Sequence, residues 1–178
     1  MKTTKVLQTN VSQTSIDEVS NILNKTAGNR IAICNANTLV RSARNPNIAD
    51  LINNFTIRTP DGFPVAKALS ILTKQNFPRV DGYKVFLQTI EDGLDRNRSH
   101  YFFGSDELTT ELMIKNLKKN YPEIQISGYI CPEFMESEKL IEKYVDEIQN
   151  IDADIVWVSL GFPKQEMFID QVNKTIDI

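Results

Sequence analysis

Several short segments of the chain join a glycine or proline to polar side chains and can hold a reacting group at a turn. In Thr59-Pro60-Asp61-Gly62-Phe63-Pro64, Pro60 keeps Thr59 extended, Gly62 permits a backbone angle other residues resist, and Pro64 suits a first helical turn. The turn presents Asp61, whose carboxylate can take a proton from a hydroxyl nucleophile or bind the free amides of the next helix as an N-cap. Spacing alone favours the cap, and the helix dipole would lower its pKa. Asn35, Asn37 and Thr38 in Cys34-Asn35-Ala36-Asn37-Thr38 can hydrogen-bond a sugar or base, with helix capping the plainer reading. Arg79-Val80-Asp81-Gly82 offers a cation, Arg79, able to grip a phosphate bidentately, although a surface arginine is the ordinary outcome.

Gly104-Ser105-Asp106 can set backbone N–H groups against a nucleotide, but it lacks the further glycines of a dinucleotide fingerprint and the Gly-Lys-Ser/Thr of a P-loop. In Gly161-Phe162-Pro163-Lys164-Gln165-Glu166, Gly161 frees the turn, Pro163 starts a helix, and Lys164, Gln165 and Glu166 crowd its first turn, where an anion or sugar hydroxyls can bind. A lysine at that position opposes the helix dipole and is a poor choice for stability alone, so functional and structural readings stand level. Asp152-Ala153-Asp154 looks like a metal-holding Asp-x-Asp, yet it precedes its strand and so falls at the opposite edge, as a solvated loop. His100 is the only histidine, and Cys34 and Cys131 are the only cysteines, which removes the usual Cys/His zinc sites and leaves acid–base chemistry to carboxylates.

These segments need a scaffold. The 178 residues suit one domain spanning 1–178, and 41% hydrophobic with 24% charged residues excludes a disordered or fibrous chain. A net charge of −3 without long blocks of one sign excludes nucleic-acid binding through a broad basic surface. No run approaches the roughly 18 apolar residues of a membrane span, and the N-terminus lacks the apolar core of a signal peptide, so a cytoplasmic protein is expected. Short apolar runs at Arg30–Cys34, Phe55–Arg58, His100–Phe103, Glu123–Ser127 and Asp154–Leu160 read as strands. Helices are predicted near 36–53, 63–72, 82–95, 106–120 and 136–150, and from Pro163 on. In the clearest, Leu140, Ile141, Tyr144, Val145 and Ile148 share one face. The alternation predicts a doubly wound α/β fold, a mostly parallel sheet with helices on both faces and an N-terminal edge strand or hairpin in KVLQTNV. Tyr101, Phe102, Phe103 and Trp157 are expected in its core. Ligands of such sheets bind beyond the carboxyl ends of the strands, the edge on which the turns above lie.

The order PDG, RVDG, FFGS, NYPEIQISGY and ADIVWVSLGFPKQE resembles the WecG/TagA/CpsF glycosyltransferases, family 26, over residues 5–172, and GYICPEF is similar to the proline-containing loop of the capsule-type branch. The resemblance implies a Rossmann-like domain acting in bacterial cell-envelope polysaccharide synthesis, such as capsule or teichoic acid. It implies inverting transfer of an N-acetylmannosamine-like sugar from a UDP-sugar to a polyprenyl-pyrophosphate-linked acceptor, without cofactor or metal. It makes Asp61 the general base and matches Asn35 to the family's Asn after the first strand. It also gives Arg79, Gly82 and the Gly161–Glu166 turn to the substrate. Ile33 stands where several members have an assisting threonine, a part Thr38 can take instead; Lys84 replaces a frequent acid and Phe168 a frequent Trp. Members continue for some tens of residues with a basic segment at the membrane, so these residues read as a core, peripheral at the inner face of the plasma membrane, with a homo-oligomer left open. The alternatives are a non-catalytic sugar-nucleotide-binding module and, lower, a nicotinamide-dependent oxidoreductase, which lacks its glycine fingerprint.

Overall fold

A computed structural model describes residues 1–175, which divide into two compact units between Thr89 and Ile90. The first unit opens with the expected hairpin. β1 (Thr3–Val6) pairs antiparallel with β2 (Thr9–Ser12), and the chain reverses through Leu7 at a φ of 56°. α1 (Ile16–Lys25) starts at a capping box, in which Glu18 N donates to Ser15 Oγ at 3.2 Å and Ser15 N donates to Glu18 Oε2 at 3.0 Å. Its Val19 is buried with Ile57, Val80 and Val85, and Ile16, Ile22 and Leu23 pack on this cluster.

β3 (Ile31–Cys34) runs parallel to β4 (Ile57–Pro60) with Cys34 opposite Pro60. The single helical stretch predicted over 36–53 is two helices, α2 (Ala36–Arg44) and α3 (Pro46–Asn53). Pro46 lacks an N–H and forces its predecessor out of helical geometry, and Asn45 accordingly sits at φ −137° and ψ 109°, ending α2 and capping α3. The buried Arg58 guanidinium donates to the carbonyls of Asn10, Asn53 and Phe55, and its amide donates to Ser12 Oγ, tying β4 to the hairpin. α4 (Phe63–Thr73) follows β4, and α5 (Gly82–Gly93) carries the chain across the division.

In the second unit β5 (Ser99–Gly104) lies between β6 (Gln125–Ile130) and β7 (Ile155–Ser159), both parallel to it. α6 (Glu107–Asn120), α7 (Ser137–Gln149) and α8 (Lys164–Thr175) complete it. Phe103 stacks on Phe168 at 4.4 Å between centroids and meets Tyr144 edge-on at 5.9 Å. Leu140, Ile141, Tyr144 and Ile148, four of the five residues of the face read from the sequence, close this core, and Val145 is only partly buried outside it. Of the strand aromatics, Phe102 and Phe103 are buried while Tyr101 and Trp157 are only partly covered. The α/β class with parallel strands and covering helices is borne out.

Candidate functional site

In the first unit the site follows from strand register. Because Cys34 lies opposite Pro60, the next residues, Asn35 and Asp61, leave the sheet side by side, and Asp61 N donates to Cys34 O at 3.0 Å. Asn35 caps α2: its Oδ1 accepts from Thr38 N at 3.1 Å and from Thr38 Oγ1 at 3.4 Å. Thr38 is buried and its hydroxyl is engaged with Asn35, whereas Asn35 and Asn37 are exposed.

Asp61 does not act as a cap. The N-cap of α4 is Gly62, at φ 76° and ψ 151°, and no side chain bonds the first amides of α4. Gly62 holds the left-handed angle the sequence required of it. The Asp61 carboxyl lies above its usual range. Burial is the main cause; a hydrogen bond from the Gly62 backbone and the Arg79 charge pull it down, and the Asp81 charge pushes it up. The shift is opposite to the dipole-lowered pKa expected of a cap, and burial is its largest cause.

Arg79 brackets this carboxylate, with Nε 3.8 Å from Asp61 Oδ1 and Nη2 3.0 Å from Asp81 Oδ2. The segment is fixed at both ends: Val80 N donates to Pro60 O at 3.0 Å, and Lys84 N donates to Asp81 Oδ1 at 3.0 Å. The start of α5 rests on β3, since a Cβ on Gly82 would stand 3.4 Å from Ile33 Cγ1. Sequence reading did not single out Asp81, although Asp three residues before a helical amide is the usual capping spacing.

In the second unit two further turns emerge side by side, because Gly104 is opposite Ser159. Gly104 has a φ of 120°, and a Cβ there would fall 2.1 Å from Ser159 O. Ser105 N donates to Ser159 O at 3.0 Å, so that amide is occupied within the sheet edge. Asp106 caps α6 through Thr109 N at 2.9 Å and Thr109 Oγ1 at 2.7 Å, and these bonds hold its carboxyl below the usual range. A carboxylate already placed at this helix start disfavours a second anion there.

The α8 start is organised differently. Gly161, at φ 78°, donates to Gln165 Oε1 at 3.2 Å and accepts from Gln165 N at 3.0 Å, so Gln165 closes the turn, with the Phe162–Pro163 peptide cis. Gln165 Nε2 reaches Glu166 Oε1 at 3.0 Å, while Glu166 Oε2 is buried without a hydrogen-bond partner. Burial pushes the Glu166 carboxyl up. Lys164 lies in this first turn, its Nζ 4.5 Å from the centre of the Phe134 ring. The turn thus combines a cation, an amide and a buried carboxyl of raised proton affinity, groups suited to sugar hydroxyls and phosphate oxygens.

Asp154 lies at the other end of β7. Its carboxylate pairs with Arg98 Nη1 at 2.5 Å and accepts from Ser99 N at 2.8 Å and Ser99 Oγ at 2.9 Å. From an exposed loop that precedes β7, at the edge opposite the turns as expected, it also anchors the amino end of β5. An open depression of about 550 Å³ between Asn97, Ser99, Gln125, Ile126 and Ser127 is at this same edge and has no titratable side chain.

The model of the Glycosyl transferase WecG/TagA/CpsF family matches residues 4–178. The chain is 24% identical over 147 residues to a Bacillus spizizenii protein named N-acetylglucosaminyldiphosphoundecaprenol N-acetyl-beta-D-mannosaminyltransferase, covering 83% of this chain and 56% of that protein. A Bacillus subtilis protein of the same name is 25% identical over 120 residues, 67% of this chain and 45% of its own length. One from Staphylococcus aureus strain NCTC 8325 is 26% identical over 123 residues, 67% and 46% respectively. The chain spans about half the length of these curated relatives. It belongs to the WecG/TagA/CpsF family.

Proposed function

We propose, on the premise of that family membership, that the protein moves an N-acetylmannosamine-like sugar, with inversion, from a UDP-sugar to a saccharide carried on a polyprenyl diphosphate. The names of the relatives support the sugar and the lipid-linked acceptor. In the reaction the Asp61 carboxylate takes the proton of the acceptor hydroxyl as its oxygen bonds to the anomeric carbon. The bond from that carbon to the β-phosphate oxygen breaks, and UDP leaves with the electron pair. The observation that carries the reading is the state of Asp61, a carboxylate at the ligand edge, unused as a cap and with its proton affinity raised by burial. Arg79 orients it, and the exposed Asn35 offers its amide to a substrate hydroxyl.

Within the second unit, the first turn of α8 has groups that by themselves suit a sugar nucleotide: Lys164 and the helix N-terminus suit a diphosphate, and Gln165 and Glu166 suit hydroxyls. Gly104 and Ser105 shape the neighbouring turn. The chemistry needs no cofactor. Among the described residues no helix is long and apolar enough to cross a membrane, and a lipid-linked acceptor supports a peripheral position at the membrane's inner face.

The test is transfer from UDP-N-acetylmannosamine to a lipid-diphosphate N-acetylglucosamine acceptor, with the anomeric configuration of the product determined. Asp61→Asn keeps the shape, so folding and UDP binding should persist while transfer falls on the order of 10²–10⁴-fold. Full transfer by that variant would return Asp61 to a structural part. UDP binding without transfer in the unaltered protein would favour a binding module, the reading to which Ile33 lends support by packing an apolar side chain beneath Gly82.

A further inference from the structure

The outer face of α4 has the composition of a lipid-contacting surface. Positions 63, 67, 71 and 74 fall on one stripe of a helix, and they are Phe63, Lys67, Ile71 and Lys74. All four are exposed, Phe63 to 73% and Ile71 to 65%, while Val65, Ala66 and Leu69 fill the inner face. Tyr83, at the start of α5, is 71% exposed. Between Gly62 and Ile90 the sequence holds four cations, Lys67, Lys74, Arg79 and Lys84, against the single acid Asp81, which Arg79 and the α5 start already engage. In a chain of net charge −3 this is a local segregation of positive charge.

Large apolar side chains interleaved with lysines, and no carboxylate among them, match an anionic bilayer, which takes the apolar groups into its interface and the ammonium groups at its phosphates. A second copy fits less well, because a two-fold contact through this face would set lysines against lysines. α4 also begins directly after Asp61 and Gly62, so a bilayer along its outer face lies within a helical turn of the Asp61 backbone. We infer that the Phe63–Lys67–Ile71–Lys74 face is the surface on which the first unit rests on an anionic lipid bilayer. Its use in presenting Asp61 to a lipid-linked acceptor rests on the proposed function; the surface itself rests on exposure and charge.

A net charge of −3 without long blocks of one sign gives no sign of a basic membrane face. α4 escaped that reading because it is apolar on both faces, so periodicity does not mark which face is outside.

The experiment is flotation of the full chain with phosphatidylcholine vesicles, with and without phosphatidylglycerol. Binding is expected only with phosphatidylglycerol and should weaken with salt. Lys67→Gln with Lys74→Gln should lower the partition coefficient about thirtyfold while leaving UDP affinity unchanged. Phe63→Ser with Ile71→Ser should lower it as well. Partitioning of both double variants equal to the unaltered chain, or no preference of that chain for phosphatidylglycerol, overturns the inference. A fall in oligomer mass in the variants without any vesicle binding overturns it in favour of a second copy. Vesicle binding without transfer refutes only the proposed function, and transfer to a detergent-dispersed acceptor without vesicle binding refutes only this surface.

Discussion

Trp157 donates its indole N–H to Nδ1 of His100 at 3.1 Å. Indole is a donor only, so Nδ1 is the unprotonated nitrogen and the neutral ring carries its proton on Nε2. The ring is buried within β5, which lowers its pKa to about 4 against the opposing influence of the Asp154 charge. The one histidine is therefore a core acceptor, neutral and buried near neutral pH.

This pair sets a pH dependence of stability. Between about 4 and 6.5 the unfolded chain holds a proton on His100 that the folded chain refuses. The stabilisation is present above 6.5 and is lost as the pH falls towards 4, a span worth roughly 3 kcal/mol. Glu166 opposes the trend, since a buried carboxyl with a raised pKa stabilises at acid pH and loses that effect as the pH rises through its folded value. Urea midpoints should drop across this window, and His100→Gln, which keeps an acceptor for the indole, should flatten the drop. An unchanged slope in the variant would assign the loss to other groups.

Gly104→Ala should destabilise on the order of 3 kcal/mol. The added Cβ meets the Ser159 carbonyl oxygen at 2.1 Å on a residue already at a φ of 120°, so β5 or β7 must shift. Thermal unfolding measures this, and a melting temperature equal to that of the unaltered chain would contradict the packing.

Asp154→Ala should cost about 1–3 kcal/mol, because Ser99 N and the Arg98 guanidinium lose their acceptor. UDP affinity should not change, with or without a chelator. Loss of UDP binding at full stability would instead give Asp154 the metal-holding part that Asp-x-Asp invites.

Arg79→Met should move the acid limb of kcat/KM to higher pH. Removing the cation 3.8 Å from Asp61 leaves only the Gly62 backbone hydrogen bond to oppose burial and the Asp81 charge, both of which favour the protonated carboxyl. A limb that moves to lower pH, or stays in place, would show that Asp61 does not sense this arginine or is not the base.

The sequence by itself determined the α/β alternation, the edge on which the turns lie, the inward face of α7 and the glycine at position 62. Each is a local matter of period, turn chemistry or allowed backbone angle, written within a few residues. The break at Asn45–Pro46 was equally local, but the apolar spacing over 36–53 ran through it and masked it. Tertiary structure decided the rest. Asn35 and Asp61 become neighbours only because β3 and β4 pair in parallel with Cys34 opposite Pro60, and Arg79 reaches Asp61 only because Val80 is hydrogen-bonded to Pro60. Whether Asp61 caps a helix or stays available, and whether its pKa falls with the dipole or rises with burial, depends on which groups exclude water around it. The same holds for Phe63 and Ile71, whose apolar types say core and whose exposure follows from Val65, Ala66 and Leu69 already filling the space beneath α4. Desolvation and register are sums over residues distant in the chain, and no window of sequence contains them.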